Sequence, residues 1–145
     1  MQTTSSYTTK THPLERFLII AGTGICLITT TLIWWGIAAH QSMWPLPGLY
    51  FIEMAALSVF STLAFLRGRP AGKFITWGAA GIFSAFSILG AFSVGFFYLP
   101  VACLFGATAI LADVRNKQPV MAHLGVCIFA GMMQAALMLA VIRML

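Results

Sequence analysis

The stretch 74–114 runs for 41 residues and meets its first charge only at Asp113. As a single helix rising about 1.5 Å per residue it would reach about 60 Å, twice the hydrocarbon thickness of a bilayer. It therefore has to fold back. "SVGF", Ser93 to Phe96, is the natural turn: Gly95 tolerates dihedrals that other residues avoid, and Pro100 fits the first turn of the returning helix. Segments 17–39, 48–66 and 120–142 each approach the roughly 20 apolar residues that one crossing needs. The expected fold is thus all-α: a polytopic membrane helix bundle with five transmembrane helices at about 17–39, 48–66, 74–92, 97–114 and 120–142. Residues 14–145 form one transmembrane domain behind a flexible polar N-terminal tail, 1–13.

Composition identifies the solvent. With 60% hydrophobic and 8% charged residues, the chain lies far from the roughly 25% charged residues of soluble domains. The first apolar segment is not read as a signal peptide. Its 23 uncharged residues, 17–39, exceed the roughly 7–15 of a signal core, although Ala38 and Ala39 mimic a cleavage site.

The net charge of +5 comes from basic residues scattered between apolar segments, which excludes a nucleic-acid face and reads as a topology signal. With the N-terminus cytoplasmic, Lys10, Arg16, Arg67, Arg69, Lys73, Arg115 and Lys117 fall inside and Arg143 alone outside, together with the C-terminus. A four-helix count would spoil this asymmetry. The expected location is the plasma (inner) membrane of a prokaryote. The uncharged segment "HQSMWPLP" then lies outside, with Trp44, Trp34 and Trp35 near the headgroups.

The third helix is rich in small residues, and Gly78, Gly81, Ser84 and Gly90 are expected to let neighbouring backbones approach closely, making it the central helix. On the fifth, His123, Cys127, Ala130 and Gln134 recur at helical spacing and define the face turned into the bundle. Cys26, Cys103 and Cys127 lie in separate segments without CxxC spacing, and His123 with Cys127 gives only two ligands. His40 and His123 lie near opposite surfaces, too far apart to ligate one haem iron. No metal or cofactor is expected.

Glu53 is the residue that composition does not explain. Five residues below Gly48, its carboxylate lies about 8 Å under the outer boundary, and Gln134 lies at a similar depth, about 12 Å. Ser87, Thr30 and Thr31 fall within about 8–14 Å of that boundary, so these five residues form one candidate polar layer. An anion there costs at least about 2.5 kcal/mol on insertion scales, and the expected relief is a proton with a hydrogen bond to Gln134 or a hydroxyl, a wet cavity, or a cation from a partner or ligand.

No Ser-His-Asp set, no paired intramembrane carboxylates and no phosphate loop occur, so an enzyme is not expected. Tiny polar loops and abundant Phe and Met favour an accessory or assembly subunit in contact with lipid, other membrane subunits or its own copies. The alternative is a small oligomeric transporter or channel-like protein using Glu53 as an intramembrane proton or cation site.

Overall fold

The structure, a computed structural model, describes residues 12–39, 48–68, 70–91 and 93–144. Expectations for the tail up to residue 11, for His40 and Trp44, and for Lys10 and Arg69 fall outside the described residues. Among the described residues five helices are long and apolar enough to cross a membrane: α1 (Pro13–Ala38), α2 (Gly48–Leu66), α3 (Pro70–Leu89), α4 (Leu99–Arg115), whose span includes the preceding turn from Gly95, and α5 (Val120–Met144).

Their ends depart from the hydropathy boundaries for identifiable reasons. α1 begins at Pro13 rather than Phe17, because His12 and Glu15 form a capping box: the Leu14 N–H donates to His12 Nδ1, and the His12 N–H donates to Glu15 Oε2 at 3.1 Å. Pro13, counted with the tail by hydropathy, is thus the first residue of α1. α3 likewise opens at Pro70, four residues before Phe74, since proline is tolerated in a first helical turn and hydropathy ignores such starts.

The fold-back lies at the expected place but starts earlier. α3 stops at Leu89, and a 3₁₀ turn over Gly95–Tyr98 leads into α4, with Pro100 in its first turn. Gly90, expected on a helix-packing face, belongs to this turn: its carbonyl accepts from the Gly95 N–H at 2.9 Å. A Cβ on Gly95 would lie 2.6 Å from Gly90 Cα and 2.5 Å from the Phe86 carbonyl oxygen, so only two glycines pass here.

The links at the other end use left-handed residues. Gly68 (φ 65°) closes α2, and Lys117 (φ 51°) closes α4, where the Gln118 N–H reaches back to the Asp113 carbonyl at 3.0 Å before Pro119 starts the next helix.

α1 to α4 form a ring in chain order, α1 against α2, α2 against α3, α3 against α4 and α4 against α1, while α5 lies outside it and packs mainly on α3. α3 is therefore the central helix, as its small residues indicated. Successive helices alternate in direction, which gathers Arg16, Arg67, Lys73, Arg115 and Lys117 at one end, here called basal, and leaves Arg143 at the other, apical, end.

The ring is filled by Phe51, Met54, Phe83, Tyr98 and Phe105, all fully buried. Phe83 meets Phe105 at 5.3 Å between ring centroids, and Tyr98 stands edge-on to Phe86 at 5.2 Å; such pairs add to burial. The α1–α2 seam carries polar links, Thr23 bonding Thr62 and the Cys26 thiol donating to the Met54 carbonyl, while Thr30 ties α1 to the 3₁₀ turn through the Tyr98 hydroxyl at 2.8 Å.

The α3–α5 seam is a backbone contact. A Cβ added to Gly81 would overlap the Cys127 carbonyl oxygen and lie 2.8 Å from its carbon, and one added to Gly131 would lie 3.0 Å from the Gly81 carbonyl oxygen. Gly78 is less crowded, with Ala130 Cβ at 3.9 Å. Ser84 borders the seam and turns its hydroxyl back to the Ala80 carbonyl at 2.7 Å.

Candidate functional site: a groove holding an acid within the apolar layer

α2 and α5 both lean on α3 and leave a groove between them of about 340 Å³, lined by Leu49, Tyr50, Glu53, Leu137 and Val141. α2 carries Glu53 into it from the apical end. α5 runs antiparallel to α2, which brings Gln134 level with Glu53, and its Nε2 donates to Glu53 Oε2 at 3.4 Å. That is a long bond that leaves acceptor capacity on the carboxylate. Gln134 is buried and Glu53 half-buried, open to the groove. Tyr50, one helical turn before Glu53, rests against Phe86, and its hydroxyl oxygen is buried with no hydrogen-bond partner among the described residues.

The face expected on α5 is the inward one: His123 and Gln134 are buried, Cys127 and Ala130 partly so, and Met138 extends the row by another turn. The wider polar layer, in contrast, does not assemble. Ser87 is buried but donates to the Phe83 carbonyl of its own helix at 2.8 Å, the usual resort of a helical hydroxyl in apolar surroundings. Thr30 is taken by Tyr98, and Thr31 lies on the outer face of α1, bonded to the Leu27 carbonyl. Equal depth did not mean proximity, because depth fixes one coordinate and leaves the lateral ones free.

Two polar clusters at the basal end complete the account of the chain's three acidic residues. Asp113, fully buried, accepts from Trp77 Nε1–H at 2.8 Å and is joined through the same Oδ2 to His123 Nδ1 at 2.6 Å, while its Oδ1 has no partner among the described residues. This one carboxylate ties α4 to α3 and α5. The ring of His123 is seated edge-on against Phe74 at 4.7 Å. Glu15, also buried, receives both Nε and Nη2 of Arg115 at 2.6 and 3.0 Å, a bidentate pair that closes the ring between α1 and α4.

Sequence reasoning missed both clusters. It read Asp113 and Arg115 as charges at a span's end and His123 as an interfacial residue. The "HPLE" capping signature at residues 12–15 was the available signal for Glu15.

No protein-family model matches this sequence, and comparison with curated proteins and with solved structures gave no match to either.

Proposed function

We propose that this chain is a non-enzymatic helical subunit that acts by lateral recognition within the bilayer, as an accessory or assembly partner of other membrane proteins. One observation supports the reading: the acid-bearing groove opens sideways between α2 and α5, whereas the ring axis is filled by Phe51, Phe83, Tyr98 and Phe105. A path along the axis would require these close-packed rings to leave, at about 1.5–3 kcal/mol or more for each side chain moved out of its buried site. The outer face of α5 adds adaptable apolar surface, with Met121, Ile128, Phe129, Met132 and Met133 exposed. Extraction of the tagged chain in a mild detergent, followed by intact-complex mass measurement, tests this. A stoichiometric second protein supports the subunit role, and a chain that only ever runs alone refutes it.

The groove position of Glu53 also favours a second reading, an oligomeric transporter that uses this carboxylate as its proton or cation site. Uptake into liposomes that stops with Glu53→Gln supports it, and flux unchanged by that substitution removes it. The basic end is assigned to the cytoplasm on the charge bias alone.

A further inference from the structure

We propose that the α2–α5 groove binds an amphipathic primary ammonium: a cation with three N–H donors on an apolar body, from either an aminolipid headgroup or a free hydrophobic amine. The inference rests on the lateral reading of this groove, but not on the existence of a protein partner.

Three features of the groove fit that chemistry. The first is charge. The ion pairs among the described residues are Arg115 with Glu15 and His123 with Asp113, both at the basal end, so Glu53 is served only by the 3.4 Å amide bond from Gln134. The second is the number of acceptors. The Glu53 carboxylate lines the groove and accepts a single long bond from Gln134, so lone pairs on its two oxygens remain for a donor, and a primary ammonium offers three N–H groups to such a carboxylate. A quaternary ammonium offers none.

The third is size and lining. About 340 Å³ bounded by Leu49, Leu137 and Val141 suits the polar end and first methylenes of an amphiphile. The proton balance closes by either route. An ammonium entering the groove releases the Glu53 proton to water, or a neutral amine takes that proton, and both end at the same N–H···O ion pair.

The test uses the full chain in phosphatidylcholine nanodiscs with dodecylamine as probe, and dodecyltrimethylammonium and dodecanol as controls, bound ligand being counted by native mass spectrometry. Dodecylamine is expected to bind once per chain and about 10-fold or more tightly than either control, the scale of one hydrogen bond to a charged group. Glu53→Gln should weaken it about 10-fold or more. Leu137→Trp, which fills the groove without touching the acid, should abolish binding in a chain whose unfolding temperature shows it to be folded.

A second arm replaces part of the phosphatidylcholine with phosphatidylethanolamine. Selective retention of that lipid by the wild-type chain, lost in Glu53→Gln, identifies a headgroup source, and binding of dodecylamine alone identifies a free amine. Equal binding of dodecylamine and dodecanol, or binding indifferent to Glu53→Gln and Leu137→Trp, overturns the proposal. Because no second protein takes part, its failure is distinct from failure to find a partner subunit.

Discussion

Gly81→Ala should loosen α5 from the bundle, although it adds a single methyl group. The new Cβ would overlap the Cys127 carbonyl oxygen and stand 2.8 Å from its carbon. The obstacle is helix backbone and cannot rotate away, so α3 and α5 have to separate by about 1 Å or more to regain the 3.5–4.0 Å of ordinary contact. Overpacking of this kind costs about 1–3 kcal/mol, against which alanine recovers at most about 1 kcal/mol of helix propensity. The expected net loss is about 1–2 kcal/mol. It is aggravated because the 3.4 Å Gln134–Glu53 bond has no slack for further separation.

Gly125, on α5 at the other side of the seam, is the control, since a Cβ there meets nothing within 4 Å. Gly125→Ala should be neutral or slightly stabilising, by up to about 1 kcal/mol. Reversible unfolding in mixed micelles with increasing dodecyl sulfate measures both. If Gly81→Ala proves as stable as Gly125→Ala, the backbone seam is not what fastens α5.

Three further outcomes are expected. Asp113→Ala strands the Trp77 indole N–H and the His123 ring nitrogen together, at about 1–3 kcal/mol for each buried group left unpaired, and the same unfolding assay should show Trp77→Phe costing clearly less. Glu53→Gln should leave stability nearly unchanged, because an amide still bonds Gln134, whereas Glu53→Leu should lose about 0.6–2 kcal/mol, the measured range for membrane hydrogen bonds; equal losses would show that the carboxyl holds no network. Tags at the two termini should be accessible from opposite sides of the membrane, as five alternating helices require, and access from one side only would remove a crossing.

What could be read from the sequence was what depends on one coordinate. Length against bilayer thickness gave five crossings and placed the fold-back near Gly95, and helical periodicity picked the inward face of α5. Glu53 and Gln134 were paired by depth, and they meet because α5 happens to flank the same helix as α2. The same depth argument misled for Ser87 and Thr31, since their own helix backbones satisfy them.

Hydropathy carries no record of lateral neighbours. That α5 lies against α3, and so delivers His123 to an aspartate on α4, follows only from packing around Gly81 and Gly131. Phe83 is instructive in the same way: as an apolar residue on a small-residue helix it looks replaceable by leucine, yet it lies between the rings of Tyr98 and Phe105 with no exposure.

The ring of four with a fifth helix outside it also sets an order of events during synthesis. The Glu15–Arg115 pair joins residues 100 apart, so the ring closes only after α4 has left the ribosome. At about 5–20 residues per second, the 25 residues of α5 alone need roughly 1–5 s more. Throughout that interval the Gly81 surface of α3 faces lipid, Asp113 awaits its histidine, and Glu53 awaits its amide. α5 completes both acidic centres that it touches, so until it packs Glu53 lacks the Gln134 amide and Asp113 holds only the Trp77 indole N–H, which makes a bundle without its outer helix the costlier one to keep in lipid.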